Sequence, residues 1–116
     1  LDSDYHKKMM DLGVWLGMDH FFPAGSPGTP SWQARTAFIK DLVLAGYEDQ
    51  IMLSHDWNVM AVASVEPEDN RDVHSDGYSW ISRSVIPLMR DLGVSETATN
   101  KLMVENPRRF FDGTGR

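Results

Sequence analysis

Gln50-Ile51-Met52-Leu53-Ser54 is a short, almost uninterrupted apolar run that ends in the polar pair His55-Asp56. Such a run is typical of a strand that is buried on both faces of a parallel sheet. The same pattern occurs upstream, where Val14-Trp15-Leu16-Gly17-Met18 is followed by Asp19-His20. The sequence therefore predicts two buried strands, each followed by an aspartate and a histidine.

Helical patterns lie around these strands. Apolar residues recur at helical spacing over 5–12, and Gly13 follows where a left-handed C-cap would lie. A second helix is predicted to begin after the N-cap Ser31 and to end at Gly46. Alternating strands and helices indicate parallel βα units and hence the α/β class. Two long loops are predicted over 22–30 and 57–76, and both follow the carboxyl ends of the strands, the edge where parallel α/β proteins bind ligands.

Two more helices are predicted in the C-terminal third of the chain. Helical spacing runs over 81–92, where Pro87 must open or kink the helix. Ser95 is the predicted N-cap of the last helix, which we expect to stop at Asn106-Pro107. The tail 108–116 is then predicted to be a polar closing turn.

Composition and charge exclude several function classes. The 116 residues include 11 Lys and Arg against 17 Asp and Glu, a net charge of −6. This sign disfavours nucleic acid and anionic membranes as partners. The absence of cysteine excludes disulfides, a thiolate nucleophile and a zinc finger. No apolar run approaches the roughly 20 residues that cross a bilayer, so we expect a soluble, cytoplasmic protein.

Two parallel strands are too few for a stable sheet. We therefore expect the helices to expose apolar faces unless further strands come from a missing portion or from another copy. The chain also begins at Leu1 rather than Met. Association, or truncation from a larger protein, is predicted.

The two polar pairs are the candidate chemical groups. If the strands are adjacent, Asp19-His20 and His55-Asp56 meet at one rim, where carboxylates can bind a metal and imidazoles can relay protons. Alternatively, each aspartate caps a turn and each histidine packs as a satisfied polar group. The chain has no His-x-His or His-x3-His pair, so a complete metal site would need ligands from elsewhere.

Aromatic residues flank the polar pairs. Phe21, Phe22 and Trp57 are the candidate substrate-binding residues, since they could line an apolar pocket. They could equally close the top of the core. The residues alone leave both alternatives open.

The sequence resembles the phosphotriesterase family of the amidohydrolase superfamily, which includes phosphotriesterase-like lactonases and aryldialkylphosphatases. The resemblance covers nearly the whole chain. It is carried by Leu16-Gly17-Met18-Asp19-His20, Ser31-Trp32-Gln33-Ala34-Arg35, the run from Gly46 to Trp57, Val85-Ile86-Pro87-Leu88, Leu92-Gly93-Val94 and the run from Glu105 to Phe111.

The resemblance implies the C-terminal part of a (β/α)8 TIM barrel. Residues 1–116 would be one segment of a single hydrolase domain, with strands seven and eight and the helices that follow them. Family members typically hold two divalent metal ions, with zinc expected. They cleave phosphotriesters or lactones by attack of a metal-bridging hydroxide.

Matching positions imply individual roles. Asp56 is similar to the aspartate that ligates the more buried metal and accepts a proton from the attacking hydroxide. His20 is similar to the histidine that passes this proton to solvent, and Asp19 to a carboxylate that orients it. Phe21, Phe22 and Trp57 would lie on the wall of the substrate pocket.

The remaining metal ligands have no counterpart in these residues, so we expect the chain alone to be inactive. The implied partners are a small ester, lactone or phosphotriester substrate and a second copy in a homodimer. The alternative function is a noncatalytic α/β association module that retains remnant site residues.

Overall fold

The computed structural model describes residues 1–21, 28–56 and 76–114. The described elements, in chain order, are helix α1 (Ser3–Asp11), strand β1 (Leu16–Met18), helix α2 (Trp32–Leu44), strand β2 (Ile51–Leu53) and helices α3 (Ile86–Asp91), α4 (Glu96–Asn100) and α5 (Asn106–Phe111). Short 3₁₀ turns cover Glu48–Gln50 and Gly77–Ser79, and π turns cover Ile81–Val85 and Lys101–Glu105. The described fold is rich in helix and has a small sheet.

The two predicted strands pair with each other in parallel, which confirms that part of the fold prediction. Leu16 lies opposite Ile51, and Met18 lies opposite Leu53. The Ser54 amide continues the ladder by donating to the Met18 carbonyl at 2.8 Å. Both carboxyl ends therefore reach the same edge of the sheet.

Helices α1 and α2 begin and end where polar and glycine residues dictate. The predicted cap Ser31 accepts a hydrogen bond from the Ala34 amide, and Asp2 caps α1 in the same way. Gly13 and Gly46 have φ values of 83° and 92°, so they end their helices in the left-handed conformation that favours glycine.

The core lies between the sheet, α2 and the C-terminal helices. Its fully buried apolar side chains come from every layer, namely Ile39, Leu42, Ile51, Ile81, Val85, Met89 and Leu102. Burial of this set is the main stabilising contribution to the fold. Other large apolar side chains are exposed, among them Leu12, Leu44 and Phe111.

The prediction that the last helix stops at Asn106-Pro107 is wrong. The chain stays helical to Phe111, so residues 108–111 are not part of a closing turn. A π turn precedes the proline, and the Asn106 amide donates to the Lys101 carbonyl five residues back. The wider turn makes room for a residue that lacks an N–H and whose ring would clash in a regular α-helix. Pro87 follows the same arrangement, with the Ile86 amide donating to Ile81.

The side-chain amides of half-buried Gln50 and buried Asn106 join the amino ends of the strands to neighbouring segments. Gln50 donates from Nε2 to the carbonyls of Met10 and Val14, at 2.7 and 3.2 Å. Asn106 donates from Nδ2 to the carbonyls of Glu48 and Ile51, at 2.6 and 2.8 Å. These bonds hold the segments at the amino ends of β1 and β2 against α1 and α5. No helix in the described parts of the chain is both long and apolar enough to cross a membrane.

Candidate active site

Three polar side chains meet where the two strands end. The Nδ1 atom of His20 lies 3.3 Å from Oδ2 of Asp56, and its Nε2 lies 3.9 Å from Oδ1 of Asp19. The three side chains are about half exposed, between 49% and 53%. The structure therefore brings together Asp19, His20 and Asp56, which the sequence analysis placed at one rim.

Unusual backbone geometry directs two of these side chains. His20 has a φ of 58° and Asp56 a φ of 56°, and they are the two non-glycine residues of the described chain with positive φ. The left-handed conformation costs free energy for residues with a Cβ atom. The amide of Asp56 also donates to Oγ of Ser54 at 3.4 Å. Strained residues of this kind cluster at functional sites.

His55 faces the helical layer instead of the exposed cluster. The amide of Ile81 donates to Nε2 of His55 at 3.4 Å, and the Tyr78 ring lies edge-on at a centroid distance of 5.9 Å. Burial lowers the pKa of His55, and a hydrogen bond with the backbone of Tyr78 opposes this shift. A largely neutral imidazole is therefore expected at neutral pH.

Of the three aromatic residues predicted to bind substrate, Phe21 lies within the described part of the chain. The Phe21 side chain is 1% exposed and packs in the core cluster. This agrees with the alternative that it closes the top of the core, and the structure does not show it on an open pocket wall. Phe22 and Trp57 lie outside the described residues.

The donor set of this cluster fits a divalent metal ion. One ligand atom from each of Asp19, His20 and Asp56 lies within 4.8 Å of the others. Imidazole nitrogen with carboxylate oxygen is a combination that zinc and related ions accept. Within residues 1–21, 28–56 and 76–114 it is the one such group of three. Three half-exposed groups do not make a closed metal site, so a complete site would need further ligands from elsewhere.

An open cavity lies at the opposite end of the sheet. Its volume is about 730 Å³. It is lined by residues that precede the two strands and by the C-terminal helix, including Trp15, Asp49 and Arg109. The candidate chemical groups therefore do not lie in this cavity.

Sequence reasoning missed the different roles of the residues around Asp56. It grouped His55 with Asp56 as one polar pair, whereas His55 contacts Ile81 and Tyr78 and Asp56 contacts His20. The contact of His55 with Ile81 joins residues 26 positions apart and leaves no local pattern in the sequence. No pattern in the sequence indicates that the Ser54 hydroxyl accepts a hydrogen bond from the Asp56 amide.

Curated relatives of the chain are hydrolases or phosphotriesterase homologues. A phosphotriesterase homology protein of Mycobacterium tuberculosis is 28% identical over 116 residues, which is 98% of this chain and 34% of that protein. An N-acetyltaurine hydrolase of Dictyostelium discoideum is 31% identical over 97 residues, 83% of this chain and 24% of that protein. An aryldialkylphosphatase of Saccharolobus solfataricus is 30% identical over 111 residues, 93% of this chain and 34% of that protein.

Solved structures of similar proteins are phosphotriesterase-like TIM barrels. The phosphotriesterase of Mycobacterium tuberculosis has a TM-score of 0.78 at 27% identity, over 96% of this chain and 33% of that chain. A variant of a Deinococcus radiodurans PTE-like lactonase has a TM-score of 0.76 at 28% identity, over 95% of this chain and 35% of that chain. The chain thus spans between about a quarter and about a third of the length of these relatives.

The match to a family model covers most of the chain. The phosphotriesterase family model matches residues 1–111. This range includes both strands, the cluster of Asp19, His20 and Asp56, and helix α5. Enzymes of that family are metal-dependent hydrolases. On this match, the chain belongs to the phosphotriesterase family.

Proposed function

We propose that the chain is the C-terminal part of a metal-dependent hydrolase whose activity belongs to a whole (β/α)8 barrel. In this proposal β1 and β2 are strands seven and eight, and residues 1–116 are one segment of a single domain. The observation that carries the proposal is the convergence of Asp19, His20 and Asp56 at the carboxyl ends of adjacent parallel strands. TIM barrels place their active sites at that face. The exposed apolar side chains of α2 and α5 also suit a chain that packs against more protein.

The proposed metal content is two divalent ions, with zinc as the expected metal. When bound, such ions lower the pKa of a water molecule and polarise the oxygen of the bond that is cleaved. Asp56 would hold one ion, and the other ligands would come from outside this chain. The chain alone is therefore proposed to be inactive.

Each described residue of the cluster has a proposed role. Asp56 accepts the proton released when water attacks the substrate, because its carboxylate lies at the strand end and faces His20. His20 takes this proton from Asp56 across the 3.3 Å contact and passes it to solvent, since its ring is half exposed. Asp19, 3.9 Å from the other ring nitrogen, orients His20.

Lactones and phosphotriesters are the proposed substrates. Both present a polarised C=O or P=O oxygen to a metal centre, and neither needs a protein nucleophile. The names of the relatives add an amide substrate, N-acetyltaurine, as a second candidate. Phe22 and Trp57 remain proposed wall residues of the substrate pocket.

The decisive experiment replaces Asp56 in a polypeptide that includes the whole barrel. We expect Asp56→Asn to lower kcat for the preferred substrate among a lactone, a phosphotriester and N-acetyltaurine by at least about a hundredfold. Asparagine keeps the size of the side chain and tolerates positive φ. Asp91→Asn is the matched control, because Asp91 is an exposed aspartate of α3 far from the cluster in sequence.

Unchanged turnover in Asp56→Asn would contradict the proposal and favour the noncatalytic association module.

Elemental analysis supplies a second measurement. We expect two zinc-like ions for each whole barrel and essentially none for the 116-residue chain. Light scattering on the same samples tests the proposed homodimer.

A further inference from the structure

His55 is a half-buried histidine beside the cluster to which the proposed reaction assigns no step. It occupies the position between Ser54, which continues the sheet ladder, and Asp56, whose backbone is left-handed. Its imidazole contacts the segment before α3. Ile81 donates its amide to Nε2, and the Tyr78 ring packs against the imidazole. His55 thus joins the end of β2 to the start of the C-terminal helical region.

The partner of His55 is firmly placed. Ile81 is fully buried and begins the π turn that leads into α3. The same segment is held from outside by Asp76 and Arg83, whose Oδ1 and Nη1 atoms lie 2.7 Å apart. The Ile81 amide therefore has a fixed position, and its hydrogen bond to His55 can hold the end of β2 in place.

Asp56 needs such an attachment. Its left-handed backbone costs free energy, and such a conformation persists when surrounding contacts determine it. Its own described contacts are a 3.4 Å bond to Ser54 and the half-exposed pair with His20. Exposed contacts of this kind contribute little stability. The adjacent, half-buried His55 is the stronger constraint on the direction of residue 56.

We propose that His55 is a positioning residue, whose hydrogen bond with the Ile81 amide fixes the left-handed turn that directs the Asp56 carboxylate toward His20. The catalytic consequence rests on the proposed hydrolase function. The geometric consequence does not, and it can be measured in the whole-barrel protein without substrate or metal.

Substitutions at residue 55 separate positioning from packing. His55→Leu keeps apolar volume against Tyr78 but loses both the acceptor for the Ile81 amide and the hydrogen bond with the Tyr78 backbone, whereas His55→Gln retains an acceptor atom near the position of Nε2. If His55 acts only through packing, the leucine variant should keep the geometry of Asp56. If its hydrogen bond positions Asp56, the leucine variant should lose this geometry and the glutamine variant should keep it. His6→Leu is a control on a histidine of α1, whose ring packs on Phe38.

The first measurement is NMR spectroscopy of the metal-free polypeptide that includes the whole barrel. In His55→Leu we expect the Ile81 amide to exchange roughly tenfold faster, in line with the loss of one hydrogen bond. We also expect loss of the strong intraresidue amide-to-Hα cross-peak of Asp56, which marks positive φ, and of the cross-peaks between Asp56 and the His20 ring. His55→Gln should retain all three features, and His6→Leu should leave them unchanged.

Retention of the Asp56 turn and of its cross-peaks to His20 in folded His55→Leu would overturn the proposal. If the leucine variant does not fold, His55→Asn decides the question, because its side chain is too short to reach the Ile81 amide. Asp56 features that survive in His55→Asn would overturn the proposal in the same way.

The second measurement uses the whole barrel and separates the two proposals. We expect His55→Leu to lower kcat about tenfold or more with little change in KM, and His55→Gln to recover most of kcat. If the unaltered protein hydrolyses no substrate, the hydrolase function is overturned. The positioning role still stands in that case if the NMR spectra of His55→Leu show that Asp56 is displaced. Unchanged kcat in an active enzyme, despite a displaced Asp56, would overturn the catalytic importance of His55.

Discussion

The two ends of the β1–β2 sheet are built in opposite ways. At the amino end, Gln50 and Asn106 each direct a side-chain amide to two backbone carbonyls of neighbouring segments. At the carboxyl end, Asp19, His20 and Asp56 are half exposed, and two of them have positive φ. One end satisfies backbone groups, while the other presents polar groups to solvent.

This difference indicates a division between stability and chemistry. Hydrogen bonds that satisfy buried carbonyls are expensive to remove, because the carbonyls are then left without partners. Exposed charged groups and left-handed residues contribute little to stability or reduce it. In barrels the amino-terminal face generally supports stability and the carboxyl-terminal face carries the active site. The two ends of this sheet match that division, so substitutions at them should have opposite effects.

The largest expected loss of stability is at Asn106. Its side chain is 0% exposed, and Asn106→Leu removes both donated bonds and leaves the carbonyls of Glu48 and Ile51 with one fewer partner. We expect the free energy of unfolding to fall by about 2–4 kcal/mol. Urea denaturation followed by circular dichroism measures this change.

Asn100→Ala is the matched control for Asn106. Asn100 lies at the end of α4, and its Nδ2 donates to the exposed Glu105 carboxylate at 2.7 Å. Its replacement should change stability by no more than about 0.5 kcal/mol. Similar losses of stability in the two variants would show that the buried hydrogen bonds of Asn106 stabilise the fold no more than the exposed hydrogen bond of Asn100.

At the carboxyl end of the sheet, we expect a substitution to raise the free energy of unfolding instead of lowering it. Asp56→Gly replaces a residue at φ 56° by one that adopts this conformation without steric cost. We expect the variant to be more stable by about 0.5–1 kcal/mol while losing the proposed chemistry. Asp19→Gly is the control, because Asp19 is equally exposed but has no positive φ, and it should gain nothing. A destabilised Asp56→Gly would mean that the carboxylate contributes more to folding than the strain removes.

The sequence predicted the paired strands, the first two helices and the meeting of three site residues. Apolar runs, Ser31 and Gly46 are local signals, and parallel pairing brings the polar groups together. It failed at Pro107, because a local preference against helix before proline was offset by a π turn and by the buried contacts of Asn106. Such long-range contacts leave no periodic pattern in the sequence. The separate contact of His55 with Ile81 depends in the same way on a residue 26 positions away.

The smallest expected effect concerns the partly exposed charges around the amino end of the sheet. Lys101 lies 3.0 Å from Asp49 and 3.2 Å from Glu48, and hydrogen bonds to these two carboxylates raise the pKa of Lys101 above 10.5. A raised pKa in the folded chain means that the charged lysine stabilises folding below pH 10.5 and that this contribution is lost as the pH rises through the folded pKa. We expect Lys101→Met to lower the urea midpoint slightly at pH 8 and to differ less from the unaltered chain at pH 11. Lys7→Met, on α1 and outside this network, should show no such convergence. A difference for Lys101→Met that is equal at both pH values would mean that its aliphatic stem, and not its charge, supports the amino end of the sheet.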